Sequence, residues 1–207
     1  MHLKRQSLSR RMPIPRKGTK MVVGSLINPS NSVPLVIAIR DMLKIARTAK
    51  EVQKMIHHGL LKVNWRKAKD YREQINLFNI LEADKKYYLS ILGTGKFTLK
   101  ETKSEDRLCK VIGKRLVKDG KIQINLHDGT NFLTDKKIKM GDSVYLDNQL
   151  KIKKIVSIEK GSEVFIISGR YAGSEGKILA VDGEKYEVNL KEKDKNSFLK
   201  REVLIAI

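Results

Sequence analysis

Residues 164–183 read VFIISGRYAGSEGKILAVDG, and this stretch decides the fold class of the C-terminal part of the chain. Two apolar runs flank a loop with three glycines, and an Asp-Gly pair follows the second run. Short apolar runs bounded by turn residues are typical of β-strands, and Asp-Gly between strands favours a tight hairpin. The stretch therefore predicts antiparallel β-structure, with Val164, Ile166, Ile178 and Val188 in a small barrel core.

The glycine-rich loop is accompanied by Arg170 and Lys177, and glycines beside positive charge can bind phosphate. Its spacing fits neither common nucleotide-binding pattern. A P-loop requires glycine five positions before Gly176 and Ser or Thr after Lys177, but the chain has Tyr171 and Ile178 there. The dinucleotide pattern also requires glycine at position 171. We therefore do not expect an enzyme's nucleotide site in this loop.

The alternation of apolar and polar residues that is typical of strands begins at residue 60 and continues to residue 158. A turn at Asn64-Trp65 and a hairpin around Gly93 and Gly95 are expected within it. The predicted strands are LLKVNW, INLFNIL, KKYYLSIL, FTLKE, LCKVIGKRLV, IQINL, NFLTD, KMGDSVYLD and LKIKKIVSI, with Asp-Gly turns in Lys118–Lys121 and after His127. The pattern predicts a chain with little helix.

Two short helices are predicted in residues 34–59, where apolar residues recur every three to four positions. Thr48 and Glu51 have the spacing of a capping box, in which each side chain binds a backbone N–H at the helix start. Val52 is expected on the buried side. Gly59 is expected to end the second helix, because glycine readily adopts the left-handed conformation that follows a helix.

Charge is the strongest functional signal in the sequence. The chain has 43 Lys and Arg against 23 Asp and Glu, a net charge of +20, and its first acidic residue is Asp41. Residues 1–70 contain 16 basic and 3 acidic residues. Such asymmetry indicates a polyanionic partner for the N-terminal third. Nucleic acid is favoured over an acidic membrane surface, because residues 1–33 contain no amphipathic helix.

Residues 1–33 are predicted to be an extended basic tail. Pro13 and Pro15 favour extended backbone, and LINPSNSVP has a loop composition. The segment has few apolar residues, so we expect it to become ordered only on its partner.

Signals of catalysis, metal binding or membrane insertion are weak. Cys109 is the single cysteine, which excludes an internal disulfide and a cysteine cluster for zinc, and no apolar run approaches the length of a membrane span. His57-His58, His127-Asp128 and Ser168 lack the neighbours that a catalytic or metal site requires. We expect no catalytic residue, no metal, no cofactor, no small-molecule substrate and no membrane association.

Five segments occur in an order that resembles a known family: HLKR at 2–5, PIPRKG at 13–18, VPLVIAIRDMLKIARTAKEVQKMI at 33–56, IQINLHDGTN at 122–131 and VFIISGRYAGSEGKI at 164–178. Together they resemble small-subunit ribosomal protein four of the archaeal and eukaryotic type, over nearly the whole chain. The resemblance implies a structural protein of the small ribosomal subunit in the cytoplasm. Its partners would be small-subunit rRNA and neighbouring ribosomal proteins.

Two parts of the chain resemble smaller units within that family. Residues 34–81 resemble an RNA-binding module that also occurs in the bacterial ribosomal protein four, pseudouridine synthases and tyrosyl-tRNA synthetases. The implied structure is two helices on a small sheet, with the charged helix faces toward RNA. Residues 161–190 resemble a KOW motif, in which the glycines would make a tight loop close to the partner.

The predicted fold is α+β and mostly β. It comprises an extended basic tail (1–33), an RNA-binding module with the following hairpin (34–95), a central β-domain (96–158), a KOW domain with an SH3-like barrel (159–195) and a C-terminal segment (196–207). The predicted rRNA-binding residues are Lys4, Arg5, Arg10, Arg11, Arg16, Lys17, Lys20, Arg40, Lys44, Arg47, Lys50, Lys54, His57, Arg66 and Lys69. The predicted KOW-loop residues are Gly169, Arg170, Tyr171, Gly173, Gly176 and Lys177.

Two other functions remain open from the residues alone. An RNA-modifying enzyme of the pseudouridine-synthase type could carry the same RNA-binding module, but it would need a further catalytic domain. A transcription-elongation factor could carry the KOW motif, but the basic N-terminal third argues against it.

Overall fold

Antiparallel strands are the predominant secondary structure of the described residues, as the alternating pattern predicts, and the fold class is therefore confirmed as mostly β. The computed structural model describes residues 2–27, 29–117, 121–183, 185–190 and 196–207. The chain forms two units, Met1–Ser104 and Glu105–Ile207.

The described residues of the first unit form nine strands in three sheets. They are β1 (His2–Lys4), β2 (Met21–Val23), β3 (Ser32–Pro34), β4 (Lys62–Val63), β5 (Arg66–Lys67), β6 (Gln74–Asn76), β7 (Ile80–Glu82), β8 (Lys86–Ile91) and β9 (Phe97–Glu101). Strands β1 and β2 pair, β3 pairs with β6, and the remaining five form a sheet in the order β5-β4-β7-β8-β9. The β4–β5 turn at Asn64-Trp65 and the β8–β9 hairpin confirm the two turns expected in this region.

The two predicted helices are present and begin and end as expected. Helix α1 (Leu35–Ile37) continues into a π-helical turn (Ala38–Met42), and α2 spans Ala49–His57. The Thr48 hydroxyl accepts a hydrogen bond from the Glu51 amide at 3.3 Å, and the Glu51 carboxylate accepts one from the Arg47 amide at 2.7 Å. Gly59 has φ +69°, the left-handed value predicted for the residue that ends the helix.

The N-terminal segment differs from the predicted extended tail. Strands β1 and β2 bring its two ends together, and the loop between them packs Met12, which is 4% exposed. The Phe97 amide of β9 donates to the Arg11 carbonyl at 2.8 Å and joins this loop to the larger sheet. The prediction was wrong because it considered the segment alone, whereas its few apolar residues pack within a larger unit.

The predicted single strand INLFNIL is two strands, β6 and β7. Phe78 lies between them with φ +60°, a left-handed conformation that interrupts strand pairing. Its amide donates to the Leu89 carbonyl at 2.8 Å, and its ring stacks on Tyr88 with centroids 6.5 Å apart. These contacts with β8 redirect the chain, so β6 pairs with β3 while β7 pairs with β4 and β8.

The second unit contains two five-stranded antiparallel sheets. Its strands are β10 (Arg107–Leu116), β11 (Ile122–Leu126), β12 (Asn131–Thr134), β13 (Ser143–Leu146), β14 (Ile152–Val156), β15 (Glu163–Ile166), β16 (Glu175–Asp182), β17 (Lys185–Leu190), β18 (Asn196–Lys200) and β19 (Leu204–Ala206). The orders are β12-β11-β10-β13-β14 and β18-β17-β16-β15-β19. The predicted Asp-Gly turn within Lys118–Lys121 lies at residues outside the described ranges.

The second sheet has the predicted core. Val164, Ile166, Ile178 and Val188 are all buried, together with Leu204 and Ala206 of β19. Pairing of β15 with β19 and of β17 with β18 places residues 196–206 in this sheet, so a boundary after residue 195 divides one structural unit. A boundary after residue 95 likewise divides the β8–β9 hairpin, and the structure places the division after Ser104. Closure of this sheet into a barrel stays a prediction.

Candidate nucleic-acid interface

A basic cleft of about 1160 Å³ opens in the first unit. Residues 4–20 form most of its lining, and Thr94 and Lys96 of the β8–β9 hairpin complete it. The lining residues contain no carboxylate among the described ranges, and its cations are Lys4, Arg5, Arg10, Arg16, Lys17, Lys20 and Lys96. Six of these were predicted to bind rRNA, and the fold gathers them around one concavity.

Arg5 holds the shape of this cleft. Its Nε donates to the Thr19 carbonyl at 2.7 Å, Nη1 donates to the Pro15 carbonyl, and Nη2 donates to the Thr19 hydroxyl at 3.0 Å. The backbone of Gly18 lies so close that an added Cβ would meet Nη2 at 2.9 Å. Arg5 was predicted to bind RNA, and this stays a prediction; in the structure its guanidinium donates three hydrogen bonds to the chain's own loop.

The other predicted cations of the loop divide into two groups. Lys4, Arg10, Arg16, Lys17 and Lys20 are exposed, so their charged ends are available to a ligand. Arg11 is half-buried outside the cleft lining, and its Nη1 lies 3.5 Å from Oδ1 of Asn31.

A second cationic surface follows helix α2. Lys50, Lys54 and His57 are exposed, and their spacing of four and three residues places them on one helix face. Val52, on another face, is fully buried. The remaining exposed cations predicted for this module are Lys44, Arg47, Arg66 and Lys69.

Arg40 was also predicted to bind rRNA, and its guanidinium forms an ion pair with the neighbouring Asp41. Its Nη2 lies 2.7 Å from Oδ2 of Asp41, its Nε donates to Oδ1 at 3.1 Å, and both side chains are about 30% exposed. The Asp41 carboxylate, through its hydrogen bond and its charge, raises the pKa of Arg40. This pairing reduces the positive charge that Arg40 can offer to RNA.

The predicted KOW loop connects β15 to β16 by a tight turn. Gly169 and Gly173 have φ +92° and +88°, conformations that favour glycine. The Gly173 amide donates to the Ile166 carbonyl at 2.8 Å, which closes the loop. Arg170 is exposed and its guanidinium carbon lies 5.9 Å from the centroid of the Tyr171 ring. Arg170 is therefore presented outward by a rigid turn.

The last two residues of the predicted loop lie in strand β16. A Cβ at Gly176 would come within 2.5 Å of Val188 Cγ1 and 2.6 Å of the Asn189 carbonyl oxygen. This glycine is therefore required for the close approach of β16 to β17. Lys177 is the next residue and is exposed.

Family models match three parts of the chain. They are the S4 domain at residues 34–78, the ribosomal family S4e at residues 83–155 and the KOW motif at residues 160–191. The small ribosomal subunit protein eS4 of Methanocella arvoryzae is 35% identical over 87% of this chain and 80% of its own length. The eS4 protein of Methanococcus maripaludis is 32% identical over 95% and 89%. The chain belongs to the ribosomal S4e family.

The fold of this S4e family member is also that of a solved structure. The crystal structure of the 30S ribosomal protein S4e from Thermoplasma acidophilum matches with a TM-score of 0.73 and 24% identity, and it covers 86% of this chain and 95% of that one. The resemblance inferred from the five sequence segments is confirmed.

One lining residue of the cleft in this S4e protein could not be found from the sequence. Lys96 is exposed and lies in the turn of the β8–β9 hairpin, some 80 residues away from the other cleft cations. The signal in the sequence is only a lysine that follows two turn glycines, Gly93 and Gly95.

The residues considered for catalysis have structural partners in this family member. The Lys110 amide donates to Nδ1 of His127 at 3.1 Å, and Asp128 forms an ion pair with Arg107 at 2.8 Å with both side chains 1% exposed. Burial raises the pKa of Cys109 to about 12, which disfavours the nucleophilic thiolate.

The part of the chain that the structure describes contains no cluster of three or more His, Cys, Asp or Glu side chains that could share a metal ion. No helix there has both the length and the apolar character that a bilayer crossing requires.

Proposed function

We propose that the protein is a structural constituent of the small ribosomal subunit in the cytoplasm and that it binds small-subunit rRNA beside neighbouring ribosomal proteins. Membership in the S4e family supports this proposal, since its archaeal relatives are named as small-subunit proteins. The observation that carries it is the basic cleft, in which seven cations meet with no acidic residue in the described lining.

The mechanism is electrostatic. Exposed Lys and Arg side chains replace the counterions that surround packed phosphates, and the released ions favour binding. The cleft, the face of α2 and Arg170 are separate cationic surfaces, so RNA can be contacted at more than one place. Specificity comes from the shape and the unpaired regions of folded rRNA, because side chains cannot read the deep, narrow major groove of A-form RNA.

We further propose that the protein is not an enzyme. The histidine, aspartate and cysteine considered for catalysis are engaged in backbone contacts, a buried ion pair or the core. A uridine-isomerisation assay on total rRNA tests this directly, and turnover by the purified protein would support the RNA-modifying alternative.

Sedimentation and binding together test the main proposal. In a sucrose gradient of cell lysate the protein is expected to travel with small subunits. Purified protein is expected to bind small-subunit rRNA more tightly than large-subunit rRNA, with a log affinity that falls steeply as log salt rises. Sedimentation at the top of the gradient, co-purification with RNA polymerase, or equal affinity for both rRNAs would contradict the proposal.

A further inference from the structure

The basic cleft has two kinds of lining that call for different ligand chemistry. Its lining includes exposed cations, among them Lys17, Lys20 and Lys96. Its lining also includes the apolar residues Leu8, Ile14 and Pro15 and the buried Met12. Free phosphate, or a polyanion without apolar groups, would need only the cations. A ligand that matches both linings must have an anionic chain with attached flat apolar groups.

Unpaired RNA has this chemistry and duplex RNA does not. In an A-form duplex the bases are paired and stacked inside, so the outer surface is phosphate and sugar. An unpaired segment can place its phosphates on the cations while its bases contact apolar side chains. The cleft volume is slightly larger than that of pockets that enclose a drug-sized ligand, which suits a short unpaired segment and not a helix.

We propose that the cleft binds a short unpaired RNA segment, with phosphates at Lys17, Lys20 and Lys96 and a base against Ile14. This inference rests on the proposed rRNA-binding function and deepens it. Lys96 becomes a phosphate contact supplied by the β8–β9 hairpin. Arg5 is a positioning residue, because its three donors bind Pro15 and Thr19, and this holds the segment that contains Lys17 and immediately precedes Lys20.

The first test compares two RNAs bound by the full-length protein. One is a uridine oligonucleotide, and the other is a fully paired RNA duplex with the same number of phosphates. Lys96→Gln should reduce the steepness of the salt dependence for the oligonucleotide by ~0.7, the contribution of one phosphate contact on a single strand. It should leave duplex binding unchanged, since the duplex is held by other surfaces.

Lys100→Gln is the matched control, because Lys100 is an exposed lysine of the same hairpin that does not line the cleft. This variant should bind both RNAs with the same affinity and salt dependence as the wild type. If Lys96→Gln and Lys100→Gln behave alike, or if Lys96→Gln weakens the duplex as much as the oligonucleotide, the cleft is not the site of unpaired RNA. The proposed rRNA-binding function would then still stand, since it is judged by wild-type binding to small-subunit rRNA.

A second variant separates base contact from phosphate contact. Ile14→Ser removes apolar surface without changing charge, so oligonucleotide binding should weaken about fivefold while the salt dependence stays as in the wild type. Unchanged oligonucleotide affinity would overturn the base contact.

Crosslinking of the wild-type protein to a 4-thiouridine oligonucleotide gives a result that does not depend on the folding of a variant. Crosslinked peptides from residues 8–15 support the assignment. Crosslinks confined to the rest of the chain overturn it.

Discussion

The ammonium of Lys110 donates to the Arg201 carbonyl at 2.7 Å and to the Glu202 carbonyl at 2.9 Å. Lys110 belongs to β10 in one sheet of the second unit, and the two carbonyls belong to the turn immediately before β19 of the other sheet. A single buried cation thus joins elements that are more than 90 residues apart in the chain.

The burial of Lys110 predicts a rise in stability with pH. Burial, aided by the Arg201 charge, lowers the pKa of Lys110 to about 8, from the value of 10.5 that the unfolded chain retains. Between these values the unfolded state binds more protons, so the free energy of unfolding increases as pH rises, by at most about 3 kcal/mol. Urea unfolding from pH 7.5 to 9.5 should show this increase, and Lys110→Met should abolish it.

The pH range is limited by Cys109 and two tyrosines, which have the opposite effect. Burial raises the pKa of Cys109 to about 12 and also raises the pKa of Tyr87 and Tyr145. Their contributions to stability are lost as pH rises, above about pH 9 for Cys109 and above about pH 10 for the tyrosines. Lys151→Met is the control, since Lys151 is an exposed lysine immediately before β14 and should leave the pH dependence intact. An identical pH dependence in the wild type and Lys110→Met would contradict the assignment.

The buried Arg107–Asp128 pair predicts a large loss of stability when one partner is removed. Asp128 also accepts hydrogen bonds from the amide and hydroxyl of Thr130, both at 2.9 Å, so it would remain buried without its ion-pair partner. Arg107→Met should lower the free energy of unfolding by about 3–5 kcal/mol. Arg115→Met, in the exposed part of the same strand, should change it by less than about 0.5 kcal/mol. Equal effects in urea denaturation would refute the prediction.

Two glycines of the predicted KOW loop should differ in their tolerance of alanine. At Gly176 the new Cβ meets Val188 and the Asn189 backbone, so Gly176→Ala should destabilise by roughly 2–4 kcal/mol. At Gly169 nothing lies within 4 Å of the new Cβ, and Gly169→Ala should lose only the conformational term, about 1–2 kcal/mol. Thermal unfolding shows which variant loses more stability, and a larger loss for Gly169→Ala would contradict the prediction.

The ion pair of Arg40 predicts unequal roles for two cations of the RNA-binding module. Lys54 is exposed on α2, so Lys54→Gln should lower the steepness of the salt dependence of rRNA binding by about one. Arg40→Gln should have a smaller effect, because the charge of Arg40 is already balanced by Asp41. Circular dichroism should show both variants folded. A larger effect for Arg40 would mean that RNA displaces Asp41.

Features that depend on neighbouring residues were predictable from the sequence. Thr48 and Glu51 cap α2 because their spacing alone brings each side chain to a backbone amide. The turn at Asn64-Trp65 was predictable because the alternating pattern of strands occurs on both sides of it. The Asn64 side chain further fixes this turn, since its Oδ1 accepts from the Ile80 amide at 3.0 Å.

Features that depend on distant residues were not predictable. Phenylalanine seldom adopts positive φ, and Phe78 does so because contacts with β8 compensate for the strain. Arg5 donates to the carbonyls of Pro15 and Thr19, which come within reach only because the loop between β1 and β2 folds back on Arg5. Composition identified the cleft cations as a set, but it could not show that Lys96 joins them or that Arg5 faces inward.

The pairing of β15 with β19 also sets the order of events during synthesis. Strand β15 leaves the translating ribosome well before its neighbour, because residues 204–206 follow Ile166 by nearly 40 positions. At ordinary elongation rates this delay is about 2–8 s. Throughout that interval the edge of β15 that β19 later covers is open to pairing with another polypeptide.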